Sequence, residues 1–154
     1  MRGVFRVAPT ISGVLAAKTL VYITAPTTAV LEILAARITS QDEATSEQLY
    51  AELNRISSLG IPTATAITPK PSEEGSAASA ASAYYDVTAN EPVYDTADNA
   101  LYVGGANKLA GWEYVPLPEE RDIIKPGDSF GLRLLANLAN ATNLTAEIRW
   151  REIG

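Results

Sequence analysis

The sequence predicts an all-β protein folded as an antiparallel β-sandwich, and two observations carry that reading. The first is a series of short segments rich in β-branched and aromatic residues, separated by Gly, Pro and Asn turn signals, the spacing expected of a sandwich. The second is the alternation in LTAEIRWRE, residues 144–152. There Leu144, Ala146, Ile148 and Trp150 fall on one side, and Thr145, Glu147, Arg149 and Arg151 on the other. A period of two is the mark of a half-buried strand.

Taken in order, RGVFRV at residues 2–7 alternates loosely and fits an edge strand or an N-terminal arm over residues 1–7. KTLVYIT, residues 18–24, has strand composition and ends at Ala25-Pro26. TAVLEILAARIT (28–39) and TSEQLYAELNRIS (45–57) are ambiguous. As a helix the second places Leu49, Leu53 and Ile56 on one face. As a strand it turns Leu49, Ala51 and Leu53 inward and Gln48, Tyr50, Glu52 and Asn54 outward. Likewise Val30, Glu32, Leu34, Ala36 and Ile38 share one side of a strand, while propensity and a possible Thr cap lean toward helix. Residues 63–83, small, polar and Pro-interrupted, read as one long Ala/Ser-rich loop inside a single domain of residues 1–154. YYDVT (84–88), ALYV (100–103) and GWEYV (111–115) read as short strands. Lys125-Pro126-Gly127-Asp128 is a type II turn, in which Pro presets φ and Gly takes φ > 0. It launches SFGLRLL, with Phe130, Leu132 and Leu134 on one face and Gly131 and Arg133 on the other.

Composition narrows function by exclusion. With 154 residues, 47% of them apolar and 19% charged, the chain supports one sizeable core. A net charge of −6 argues against nucleic acid as a partner, because neutralising phosphate needs a basic face. There is no cysteine and no histidine, which removes disulfides, thiolate zinc sites and Ser-His or Cys-His catalysis. No run of about 18 apolar residues suggests a membrane span. A secretory leader is a poor match, since Arg6 and Lys18 interrupt the apolar start. We expect no enzyme activity, no catalytic residues, no metal and no cofactor.

Several constellations have plainer roles than their chemistry suggests. The acidic groups Asp42-Glu43, Glu73-Glu74 and Glu119-Glu120-Asp122 read as solvated surface, because strand neighbours point to opposite faces and cannot oppose each other across a cleft. Asp95-Thr96-Ala97-Asp98-Asn99 lacks the spacing of a calcium loop and reads as an Asx-rich turn. The aromatics Tyr84, Tyr85, Tyr94, Tyr102, Trp112 and Tyr114 fit either a sugar-stacking platform or, as the favoured reading, rings buried in the core or in a subunit interface. Arg2 and Arg6 flank Phe5, as in a blunted edge strand or an arm docking on an acidic neighbour. Arg2, Phe5, Arg6, Tyr84 and Tyr85 are therefore the expected partner contacts, with the 63–83 loop as another.

Three segments, QDEATSEQLYAELNRISSLG, GWEYVPLPEERDIIKPGDSFGLRL and NLTAEIRWREIG, together resemble small tailed-phage virion proteins, the capsid decoration or cement proteins. The likeness spans about residues 15–154 and is loosest in the central loop. It implies a jelly-roll-like sandwich, with residues 28–39 and 45–57 as partner strands. It further implies a structural role on the virion capsid surface after synthesis in the bacterial host cytoplasm. The implied partners are the major capsid protein and further copies of itself as a homotrimer, without nucleic acid or membrane. The alternative is a receptor- or glycan-binding module of a phage fibre or tail.

Overall fold

The structure is a computed structural model and describes residues 3–41, 46–96 and 99–154. Its strands are β1 (Gly3–Val7), β2 (Thr10–Val14), β3 (Thr19–Thr24), β4 (Val30–Ser40), β5 (Gln48–Ser58), β6 (Thr63–Ile67) and β7 (Lys70–Pro71). There follow β8 (Ser82–Ala89), β9 (Val93–Tyr94), β10 (Tyr102–Asn107), β11 (Trp112–Tyr114), β12 (Ile123–Ile124), β13 (Ser129–Leu134) and β14 (Thr142–Ile153). A turn of 3-10 helix, Pro118–Glu120, interrupts them, and no α-helix occurs among the described residues. The predicted all-β antiparallel sandwich is the observed fold.

One sheet runs β11-β4-β14-β1-β7, with β12 added to β4 and β2 to β14. The other runs β10-β5-β13-β3-β8-β6, with β9 added to β5. Since β14 holds one edge of β4 and β13 one edge of β5, the strands β11, β12, β10 and β9 line up along the same flank of the sandwich.

The two late strands behave as their alternation predicts. Leu144, Ala146, Ile148 and Trp150 are fully buried, as are Phe130 and Leu132. Replacing Leu132 or Ile148 by Ala should cost about 2–5 kcal/mol, the loss for a buried methyl cluster whose cavity does not collapse. Glu73→Ala or Glu74→Ala, on exposed positions, should stay within about 0.5 kcal/mol. Urea denaturation of the four variants checks the contrast, and equal losses would misplace the sheet faces. The Lys125–Asp128 turn is also as read, with Gly127 at φ 81° and the Asp128 N–H donating to Lys125 O at 3.1 Å.

Elsewhere the structure corrects the pattern. Both ambiguous segments are strands, but they are not partners: β4 pairs with β11, β12 and β14 in one sheet and β5 with β9, β10 and β13 in the other. The buried side of β4 is Leu31, Ile33, Ala36 and Ile38, not Val30, Glu32, Leu34, Ala36 and Ile38. A bulge explains this: Trp150 lies opposite Ile33 and Arg149 opposite Ala35, so Leu34 is an extra residue that resets the phase of the strand. On β5 the inward trio Leu49, Ala51 and Leu53 is as expected, yet Glu52 and Asn54 on the outer face are also fully buried. Residues 3–7 are not an arm: Gly3–Val7 pairs with β14 along its length and with β7 at Phe5 and Arg6. Removing them would take away a core strand. The 63–83 segment contains β6, paired with β8, and β7, which leaves residues 72–81 irregular. That irregular stretch is pinned by the buried Glu152, which accepts from Ser79 Oγ and from the N–H groups of Ala80 and Ala81 (both 3.2 Å).

Candidate interaction surfaces

The flank edged by β10 and β11 is built from inward-facing residues at the rims of the two sheets. Tyr102 lies opposite Leu53, and Trp112 and Tyr114 lie opposite Ile38 and Ala36, so all three rings turn into the gap between the sheets. Tyr102 stacks on Tyr114 (centroids 5.0 Å apart) and tilts against Trp112 (5.3 Å). The Trp112 indole N–H donates to Gly104 O at 3.1 Å, tying one edge strand to the other. Beside these rings runs a groove of about 710 Å³ lined by Leu101, Tyr102, Glu113, Tyr114, Glu120 and Asp122, among others.

Large apolar side chains are exposed along the same flank: Tyr102 at 38%, Val115 at 54%, Leu117 at 58% and Ile123 at 45%. The charge of the groove is negative. Glu113 and Asp122 are answered from outside its lining by Arg37 (2.5 Å) and Arg55 (3.6 Å). Glu119 and Glu120 are exposed and have no ion-pair partner among the described residues. Burial, the hydrogen bond from its hydroxyl to Asp122 (3.0 Å) and the charges of Asp122 and Glu120 together push the Tyr114 phenol up to about 12.

The opposite edge of the β11-β4-β14-β1-β7 sheet carries the reverse charge. Arg6 lies in register with Arg149 on β14 and with Lys70 on β7, so three cations stand in one cross-strand row. Arg149 reaches Glu147 at 3.2 Å, whereas Arg6 and Lys70 are exposed and have no ion-pair partner among the described residues. A groove of about 410 Å³ lined by Arg6, Val7, Ile67 and Lys70 follows this edge. Like charges directly opposite one another in a sheet destabilise it, so the row costs the isolated chain stability.

Two polar clusters serve the fold instead. On the outer face of the second sheet, Tyr94 roofs Glu52 and Asn54. Its ring seats on Gly131, where a Cβ would stand 2.3 Å from the Tyr94 hydroxyl. The Thr19 hydroxyl donates to Glu91 (2.6 Å) and pairs with the Tyr94 hydroxyl (2.9 Å), while Arg133 covers the Tyr94 ring at 4.2 Å. Burial drives the Tyr94 phenol far above its ordinary range.

In the second cluster the buried Lys108 donates to Glu47 Oε1 and Thr142 Oγ1, both at 3.1 Å, and Glu47 Oε2 accepts the Ala139 N–H at 2.7 Å. That backbone donor first, and then Lys108, hold the Glu47 carboxyl below its ordinary value of 4.5 despite burial. A depressed carboxyl stabilises the fold above its unfolded value and loses that contribution as pH falls through the folded one. The stability gap between the parent protein and Glu47→Gln should therefore be full at neutral pH and close only as pH drops below about 4.5. Urea titrations at a series of pH values read the gap, and one that is constant with pH would remove Glu47 from the acid response.

Of the expected partner contacts, Arg2 lies outside the described residues. Phe5 is fully buried and tilted against Trp150 (6.2 Å), so its ring is spent on the core. Arg6 is exposed. Tyr84 is half-buried and stacks on Tyr22 (5.1 Å) on the outer face, whereas Tyr85 packs against the core. Trp112 is buried in the core, in keeping with that reading of its ring, whereas Tyr94 is buried on the outer face and Tyr102 is open. The row formed by Arg6, Lys70 and Arg149 was not visible in the sequence, since its members meet only through strand pairing. Among the described residues no group of carboxylates is arranged to hold a metal ion, and no helix is long and apolar enough to cross a membrane. Of the Asx-rich turn, residues 97 and 98 lie outside the described residues, as does Asp42-Glu43.

The chain matches no protein-family model, no curated protein and no solved structure. The likeness to phage decoration proteins thus rests on the three sequence segments alone.

Proposed function

We propose that the protein is a phage structural component, a head decoration (cement) or minor capsid protein that binds the assembled shell through surface contact and reinforces it. The observation that carries this reading is the flank of the sandwich, where open apolar side chains (Tyr102, Val115, Leu117, Ile123) lie beside edge strands. Large apolar side chains gathered in the open on one flank of a folded chain mark an interaction site. Bound to the major capsid protein and to itself as a homotrimer, the chain would bury more than about 1,000 Å² per specific contact.

Quantitative mass spectrometry of separated heads and tails tests this, with stoichiometric copies expected on heads. Heads lacking the protein should rupture at lower temperature. Absence from heads overturns the proposal. One observation favours the second reading, a receptor- or glycan-binding module of a fibre or tail: the open Tyr102 ring stands beside carboxylates. Copies on tails together with selective binding on a glycan array would establish it.

A further inference from the structure

We infer that copies of this chain associate head to tail, the acidic aromatic groove on the β10/β11 flank of one copy receiving the Arg6–Lys70 edge of the next. The inference deepens the proposed self-association by naming its two surfaces. The sheet order β11-β4-β14-β1-β7 places the groove and the cationic row at opposite edges of one sheet. Each edge carries charge that the chain itself leaves unanswered: Glu119 and Glu120 at one, Arg6 and Lys70 at the other. In a protein of net charge −6, an exposed cationic row is the exception, and it costs stability until carboxylates face it.

The groove also suits a cation chemically. A guanidinium or ammonium group on the Tyr102 and Tyr114 rings gains from the ring quadrupole, and the carboxylates at the rim supply charge-assisted hydrogen bonds. Trp112, the stronger platform for a sugar, is buried at 2% exposure. Because the two surfaces differ, the contact is heterologous. Repetition therefore closes into a ring, such as the proposed trimer, or extends as a chain.

Sedimentation velocity on the full chain at low ionic strength tests the pairing. The parent protein should associate, and raising the salt should weaken the association, as screening of exposed charges requires. Glu119→Lys/Glu120→Lys and Arg6→Glu/Lys70→Glu, all at exposed positions, should each weaken association by about tenfold or more. Circular dichroism should confirm both folds. Mixed together, the two variants should regain association, because each then meets a partner of opposite charge on both surfaces. A parent that stays monomeric overturns the inference, as does loss on the groove side alone or a mixture that fails to recover. None of these outcomes bears on whether the protein is found on heads, so the virion reading stands or falls separately.

Discussion

Trp150→Ala should cost about 3–5 kcal/mol, a large part of the stability of a domain this size. Trp150 is fully buried on β14, the strand that β1 and β4 flank, and its ring lies against Phe5. Truncation would open a cavity between two paired strands, which cannot close over it without breaking their ladders. The indole N–H, however, has no acceptor among the described residues. A buried donor without a partner carries a desolvation cost in the native protein. Trp150→Phe, which deletes that donor and keeps most of the ring, should therefore cost markedly less than the loss of volume alone would suggest. Urea denaturation followed by circular dichroism measures both variants. Equal losses would mean that the indole nitrogen has a partner or that the pocket tolerates no smaller ring.

The contrast between β14 and β4 shows what a single sequence makes legible. In β14 the alternation runs unbroken, so the residues read as inward from their spacing are the ones in the core. In β4 the spacing is equally regular, but the extra residue at Leu34 is a property of the pairing with β14 and leaves no mark in the residues themselves. The burial of Glu52 and Asn54 was hidden for a similar reason. Tyr94, which roofs them, arrives from a strand some forty residues later in the chain. β1 was open to two readings because an edge strand and an arm share a composition, and only the partner strands separate them. The same holds for the surfaces. Aromatic residues are visible in the sequence, but the stacking of Tyr102 on Tyr114 joins two sheets. The cationic row likewise draws one residue from each of three strands.

Arg133→Met should cost about 3–5 kcal/mol, although Arg133 is partly exposed. Its guanidinium reaches Glu52 Oε1 through Nε (2.6 Å) and Nη2 (2.5 Å) and lies over the Tyr94 ring. Glu52 is fully buried, and its Oε2 has no hydrogen-bond partner among the described residues. Arg133 is the ion-pair partner that this carboxylate has. Removing the cation strands a negative charge beneath Tyr94, and that penalty exceeds anything the pair contributed while intact. The double variant Glu52→Leu/Arg133→Met should for this reason recover to within about 1 kcal/mol of the parent, since apolar groups of similar volume often replace a buried pair without loss. Methionine sulfur against the Tyr94 ring restores part of the contact that the guanidinium made. Arg133→Lys should fall between the two, keeping the charge but losing the planar fork and the stacking. Urea denaturation of the three variants reads this order. A double variant as unstable as Arg133→Met would show that the arginine acts through its packing on Tyr94, and that the charge of Glu52 is of little consequence to the fold.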